Sequence, residues 1–226
     1  MKYVYPELEA AIDTDNGCYN TLVIENQRLL VRLIGDICRQ ITGLEGEGVL
    51  SADQILPMSK YACLLDTFVP FDLNKKTLIT KLVNALDRAA QEEERFEDTA
   101  GLLRDTENWL NRLSLQFSSD IVFTNVSASA IIKACSPEIR SDKDSLAEQI
   151  LDFMELIREF DRDRLFITLN LRSFISDEEM ELFVNTALAH GFNLLGIECC
   201  EHARLSRERR TIVDADLCEI GPDDII

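Results

Sequence analysis

The stretch from Arg164 to Cys199, RLFITLNLRSFISDEEMELFVNTALAHGFNLLGIEC, decides the fold, because it predicts a strand, a helix and a second strand in succession. Its two apolar runs, Leu165 to Leu169 and Asn193 to Ile197, are typical of short strands that are buried on both faces. Between them, Ser176 and Glu179 have the spacing of a capping box at the start of a helix. The stretch therefore predicts a parallel βαβ unit.

In parallel sheets, ligands bind in the crevice beyond the carboxyl ends of the strands. Here those ends are residues 170–173 (NLRS) and 198–200 (ECC). We therefore expect a ligand-binding site of this fold at these residues.

Composition indicates an ordinary globular protein of one large or two small domains. The chain has 226 residues, of which 46% are hydrophobic and 28% charged. It contains no apolar run close to the roughly 20 residues that span a bilayer, and its first ten residues, MKYVYPELEA, lack the apolar region of a signal peptide. We expect a cytoplasmic protein.

Cysteine and histidine usage argues against metal or histidine chemistry. The seven cysteines are scattered and form no C-x-x-C pair, and the chain has only two histidines, His190 and His202. Cys199 and Cys200 are adjacent in a predicted strand and would point to opposite faces. We interpret the cysteines as buried, reduced thiols.

The opening segment predicts further parts of the same α/β layer. Residues 21–25 (TLVIE) form a plausible strand, Asn26 can cap the helix that follows to about Ile41, and Val49 with Leu50 form a short strand.

From about Pro57 the pattern becomes helical. Helices are predicted from Met58 to Thr67, from Lys75 to about Glu94, and from Asp98 to Phe117, the last two forming an antiparallel hairpin. We divide the chain into an α/β head, residues 1–56 and 141–226, and an α-helical leg, residues 57–140.

After the hairpin the chain returns to the head. A small helix is predicted from Ser129 to Cys135, and Ser145 with Glu148 predicts a capping box that opens a helix to about Glu159. An arginine-rich segment, residues 201–210, then leads to a last strand near residues 217–220.

The machinery for nucleotide binding is missing. A P-loop needs glycines that let backbone amides approach the phosphates, and a lysine that reaches them. The turn after the first strand, residues 24–28 (IENQR), has no glycine, and Asn170 stands where a hydrolase would place an acid for magnesium. ATP chemistry is therefore disfavoured.

The net charge of the chain argues against nucleic-acid binding, whereas the charge of one segment is compatible with it. The chain has 41 acidic and 23 basic residues, a formal charge of −18, which taken alone argues against nucleic acid. Between Lys60 and Arg88, however, five bases outnumber three acids. These bases either solubilise an exposed helix or form an electrostatic track for a polyanion.

Several motifs, in this order, resemble one known family. They are TLVIEN (21–26), SKYACLLD (59–66), FDLNKKTLITKL (71–82), IIKAC (131–135), LFITLNLRSFIS (165–176) and NLLGIE (193–198). The chain resembles the small, ring-forming DNA-end-binding adaptation protein of type II-A CRISPR operons. That resemblance implies an α/β head with a largely parallel sheet, related to P-loop folds but lacking a Walker A loop, and an inserted α-helical leg.

The resemblance also implies a function without catalysis. Members form homotetrameric rings that encircle double-stranded DNA without reading its bases and serve spacer acquisition. Their basic leg positions correspond to Lys60, Lys81 and Lys133. Neighbouring bases that a ring could turn inward are Lys75, Lys76, Arg88 and Arg140.

Cofactor and partners follow from the resemblance as well. The family binds calcium after the second leg helix, where this chain offers only Asp120 as a candidate ligand. The expected partners are the CRISPR integrase complex and the effector nuclease. Two alternatives stay open: a protein scaffold of the adaptation complex, and a degenerate nucleotide hydrolase or nuclease that uses Glu25 and Glu198.

Overall fold

The computed structural model describes residues 1–161 and 164–222, which form two compact units. The first unit comprises Met1–Phe71 and Asp142–Ile226, and the second comprises Asp72–Ser141. The last four residues of the predicted head, 223–226, lie outside the described residues.

The first unit is built on a six-stranded mixed sheet, and the chain is α/β as predicted. The strand order is β10-β9-β3-β8-β7-β6, with β9, β3, β8, β7 and β6 parallel and β10 antiparallel to β9. The strands are β3 (Tyr19–Ile24), β6 (Ala62–Leu65), β7 (Leu165–Leu169), β8 (Asn193–Glu198), β9 (Glu208–Val213) and β10 (Glu219–Ile220).

A second, antiparallel sheet of four strands has the order β2-β1-β4-β5. Its strands are β1 (Lys2–Val4), β2 (Ile12–Asp13), β4 (Val49–Ser51) and β5 (Ile55–Leu56). The strand at Val49 and Leu50 was predicted, but its assignment to the main α/β layer is wrong, because β4 pairs with β1 and β5.

The helices of the first unit are α1 (Gln27–Ile41), α2 (Met58–Tyr61), α6 (Leu146–Phe160) and α7 (Asp177–Ala189). Asn26 caps α1 as predicted, accepting hydrogen bonds from the backbone N–H groups of Arg28 and Leu29. The capping box of Ser176 and Glu179 also forms at the start of α7. The one predicted for α6 is wrong, since Ser145 makes no side-chain capping bond.

One face of the central sheet carries the main apolar core. Alternate residues of β3, β7 and β8 pack there with the buried stripe of α1, which contains Leu29, Leu33 and Ile37. The period-2 alternation of strands therefore sends the intervening residues to the other face.

That other face carries a row of polar or small residues. Thr168 on β7, Gly196 on β8, Thr21 on β3 and Arg210 on β9 lie opposite one another in register. A β-carbon on Gly196 would stand 1.9 Å from the hydroxyl oxygen of Tyr19. Glycine is required at this position because a buried tyrosine occupies the space.

The second unit contains α3 (Lys76–Ala90), α4 (Glu93–Ser114) and α5 (Ala128–Ala134), close to the three helices predicted there. α3 packs against both α4 and α5. The first turn of α4 contains Glu93 and Glu94, where acids interact favourably with the helix dipole.

The predicted helix from Met58 to Thr67 is largely wrong. Only α2 is helical, and the chain then enters β6, which pairs with β7 in the central sheet. The second unit consequently begins at Asp72 rather than near residue 57. The short run ACLL of β6 has no alternation that separates a buried strand from a helix.

The cysteine interpretation is also corrected. None of the seven cysteines, all of which lie in described residues, forms a disulfide, but five are exposed rather than buried. Cys199 and Cys200 follow the end of β8 instead of lying within it. Among the described residues, no helix is both long enough and apolar enough to cross a membrane.

Gly196→Ala tests the close approach of Tyr19. We expect the substitution to lower the free energy of unfolding by about 1–3 kcal/mol, because the new methyl group overpacks a buried aromatic ring. Chemical denaturation measures this loss. The control is Gly35→Ala on α1, where a β-carbon would meet nothing within 4 Å and should stabilise the helix by about 0.5–1 kcal/mol. Equal effects of the two substitutions would contradict the packing argument.

Ser176→Ala tests the capping box. We expect a loss of about 1 kcal/mol in the free energy of unfolding, because the N–H of Glu179 loses its acceptor. Ser145→Ala is the matched control, since that hydroxyl makes no capping bond at α6. Denaturation midpoints that fall equally in both variants would show that the box contributes nothing specific.

Candidate nucleic-acid interface

The predicted DNA-binding residues are divided between the two units. Lys60 lies on α2 in the first unit. The other six, Lys75, Lys76, Lys81, Arg88, Lys133 and Arg140, lie in the second unit.

Within the second unit, four of the six predicted bases lie on α3 and α5. Lys81 and Arg88 are seven residues apart on α3 and share one side of that helix. Lys133 lies in the last turn of α5, which packs against α3. Lys76, Arg88 and Lys133 are exposed. The bases that sequence reasoning selected are therefore largely on two helices that touch each other.

The N-terminus of α3 is strongly positive. Lys75 is the N-cap and Lys76 the first helical residue, and the first turn contains no acid. Two lysines next to the positive end of a helix dipole are electrostatically unfavourable for the isolated helix. The same arrangement favours a phosphate, which accepts hydrogen bonds from unpaired N–H groups of a first turn.

The second unit also carries little of the chain's negative charge. Between Asp72 and Ser141 there are nine basic and eleven acidic residues, a formal charge of −2 out of −18 for the chain. On α3 itself, three bases face one acid, Asp87. This helix therefore carries a net positive charge within an acidic chain.

α4 exposes a stripe of large apolar side chains. Leu102, Trp109 and Leu113 share one side of this helix, and Trp109 is 54% exposed. No residue of α4, all of which the structure describes, is buried. An exposed stripe of this kind is typical of a protein interface.

Asp120, the predicted metal ligand, lies in an irregular exposed segment between α4 and α5. In residues 1–161 and 164–222 there is no group of three or more histidine, cysteine or acidic side chains that could hold a metal ion. Calcium takes six to eight oxygen ligands. Asp120 alone does not fit a calcium site.

At the predicted crevice, internal hydrogen bonds join the carboxyl ends of β7 and β8. Asn170 adopts a left-handed backbone conformation with φ of 52°. Its N–H donates to the carbonyl of Ile197 at 2.8 Å, and its side-chain oxygen accepts from the N–H of Cys199 at 2.9 Å. Asn170 therefore joins the ends of two strands.

Glu198, one of the two acids considered for a hydrolase or nuclease, is buried with 1% of its surface exposed, whereas Glu25 is exposed. Burial raises the pKa of Glu198 to about 7, against the opposing effects of the Arg172 N–H and charge. The two acids do not form a shared, solvent-facing pair.

Sequence reasoning missed a buried ionic cluster next to Glu198. Arg210 forms a bidentate pair with Glu208, with distances of 2.7 and 2.8 Å. Burial alone would raise the pKa of Glu208, but hydrogen bonds from Arg210 and Leu205 outweigh it and hold that pKa below its usual range. Arg172 is buried nearby and binds Asp177 at 2.6 Å.

The comparisons with known proteins identify a family. No curated protein sequence matches the chain. Residues 40–217 match the sequence model of a family described as CRISPR-associated protein (Cas_Csn2), and this match spans well over half of the chain. The chain therefore belongs to the type II-A CRISPR-associated Csn2 family, as the order of its motifs predicted.

Proposed function

We propose that the protein binds double-stranded DNA and DNA ends without sequence specificity, as a homotetrameric ring that serves spacer acquisition. The observation that carries this proposal is the collection of bases on α3 and α5, in a family of CRISPR adaptation proteins. The protein acts as a topological clamp rather than as an enzyme. Lysine and arginine side chains replace counterions along the phosphates, so the clamp can slide inward from an end.

Four copies would make this modest basic surface effective. A ring repeats the α3 and α5 bases around one channel, while the −18 charge of each chain discourages DNA from binding elsewhere. The apolar stripe of Leu102, Trp109 and Leu113 supports assembly of several copies, because these side chains are exposed on α4.

The proposal extends to partners and to calcium. In the cytoplasm, the ring would pass DNA to the CRISPR integrase complex and work with the effector nuclease. Calcium remains a prediction from the family resemblance, since Asp120 by itself supplies too few oxygen ligands. Its effect is tested through the size of the assembly.

Charge reversal on the two basic helices tests the interface. We expect Lys76→Glu with Lys133→Glu to weaken binding to linear duplex at least about tenfold. The slope of log affinity against log salt should fall by about 1 for each phosphate that the variant no longer binds. Fluorescence anisotropy over a salt series measures both quantities.

The matched control reverses two exposed arginines of α4, Arg104→Glu with Arg112→Glu, and should bind nearly as the parent does. Lys60→Glu is measured separately because Lys60 lies in the first unit. Equal affinities for parent and both double variants would favour the scaffold alternative, in which the bases only solubilise the helices.

Topology tests the clamp itself. We expect the protein to be retained on linear duplex whose ends are blocked after the protein has been added, and to be lost from closed circular duplex of the same sequence, because a ring loads from a free end. Light scattering should give the mass of four chains, and repeating it with a calcium chelator tests the cofactor prediction. Equal retention on both duplexes in the presence of competitor DNA, or a monomer in every condition, would contradict the clamp model.

The enzyme alternative has its own test. Turnover of nucleotide or DNA that Glu198→Gln abolishes would support that alternative.

A further inference from the structure

The first unit contains a cleft of about 600 Å³ that is lined by strands of both sheets. One wall comes from β1, β2 and the loop before β2, and the other comes from β3, β9 and β10. Small-molecule sites have volumes of about 300–1,000 Å³. None of the seven predicted DNA-binding residues, all of which the structure describes, lines this cleft.

The core face of the central sheet changes from apolar to polar at the cleft. Three residues of β3 and β9 on this face belong to the main apolar core: Leu22, Ile24 and Val213. By the period of two along a strand, Asn20 on β3 shares their face, as do Arg209 and Thr211 on β9. All three line the cleft. Polar side chains on a core face need polar contacts, and the cleft is where this face can meet a polar ligand.

Strand β10 adds a carboxylate to the same face. Glu219 pairs directly with Val213, so the two side chains lie on one side of the sheet. The Oε2 atom of Glu219 accepts a hydrogen bond from the N–H of Glu9 at 2.6 Å. This bond joins the loop before β2 to the edge of the central sheet, and both glutamates line the cleft.

A buried amide lies in the wall of the cleft. Asn20 is only 3% exposed, and its side chain exchanges hydrogen bonds of 3.3 and 3.4 Å with the amide of Asn16, which also lines the cleft. Asn20 donates further to the carbonyl of Cys18 at 3.3 Å. These distances exceed the usual 2.7–3.2 Å of N–H···O bonds, about the length at which an amide gives up a partner at little cost. Both amides can therefore bind a ligand.

The opposite wall carries one charged pair and two small residues. Lys2 on β1 and Asp13 on β2 are direct cross-strand partners, and both line the cleft. Ala10 and Ala11 line it from the loop before β2. Their methyl groups leave space that larger side chains would fill.

The charges of the lining indicate which ligands fit. Two cationic side chains, Lys2 and Arg209, stand on opposite walls, and three carboxylates accompany them, a formal charge of −1. Three carboxylates repel a phosphate or nucleotide. A ligand with one carboxylate and two cationic groups instead brings the charge of the occupied cleft to zero and finds an opposite charge for each of its own groups.

We propose that this cleft binds a small zwitterion with a second cationic group, the chemistry of a basic amino acid. Lys2 and Arg209 hold its carboxylate, the acids of the cleft hold its two cationic groups, and the amides of Asn16 and Asn20 bond to its remaining polar atoms. Water fills the rest of the volume and bridges longer contacts. The inference does not depend on the proposed DNA-binding function.

Calorimetric titration of the full chain with L-arginine tests the site. We expect one saturable site per chain. Arg209→Gln and Glu219→Gln should each weaken binding at least about tenfold, because each variant leaves a charged group of the ligand without its partner. The matched controls are Arg28→Gln and Glu178→Gln, which make the same changes of charge at exposed residues outside the cleft and should bind as the parent does. Absence of saturable binding, or an equal loss in the control variants, would overturn the proposal.

Ligand analogues test the zwitterion itself. Agmatine lacks the carboxylate of arginine, and N-acetylarginine lacks its α-ammonium group. We expect each analogue to bind at least about tenfold more weakly than L-arginine, since each forfeits one charge-assisted contact. Affinities equal to that of L-arginine for either analogue would contradict recognition of both groups.

A blocked cleft tests the location of the ligand. Ala11→Trp leaves every charged residue of the lining in place but fills the space, so it should abolish binding while the circular dichroism spectrum stays that of the parent. Hydrogen exchange of the parent protein needs no variant to fold. L-arginine should slow exchange of the amides at residues 9–13 and leave α6, which contributes nothing to the cleft, unchanged. Binding by a folded Ala11→Trp variant, or exchange at residues 9–13 that L-arginine does not alter, would overturn the proposal.

Discussion

A charge buried in a protein has to be matched by an opposite charge or neutralised, and this constraint shapes the polar part of one face of the central sheet. The pleat sends Tyr19, Thr21 and Arg210 to the face opposite the apolar core. Gly196 leaves room for the tyrosine ring. The bidentate pairing of Arg210 with Glu208 then holds the loop that joins β8 to β9. Buried apolar residues, among them Val23, Phe166 and Leu194, share this second face with the polar row.

The proportion of apolar residues in each strand explains which strands could be predicted from the sequence. Strands β7 and β8 are apolar on nearly all positions, and Asn26 and Ser176 signal the starts of α1 and α7 by local bonds. Strand β9, Glu208–Val213, begins with three charged residues and was not predicted. Glu208 and Arg210 pair with each other on this strand, and a strand that begins with charged residues is missed by a search for apolar runs. The failed capping box at Ser145 shows that spacing alone does not make the bond.

The candidate nucleic-acid interface could be predicted only in part from the sequence. Lysine and arginine positions on α3 follow from helical periodicity, so their shared side could be predicted from the sequence. The packing of α5 against α3, which brings in Lys133, is a tertiary contact with no sequence signal beyond the family motif. Lys60 was assigned to the leg, because a short buried strand after α2 looked like a continuing helix.

At the carboxyl edge of the parallel sheet, side chains of the protein itself form hydrogen bonds with the backbone groups that a ligand could otherwise bind. Asn26 caps α1 with its side-chain oxygen and donates its amide to the carbonyl of Ala215 at 2.8 Å. Asn170 similarly bonds backbone groups at the ends of β7 and β8. Backbone groups at such an edge need partners, and a ligand is only one way to provide them. Because two asparagines satisfy backbone groups there internally, the carboxyl edge of the sheet can serve as a scaffold without a bound ligand.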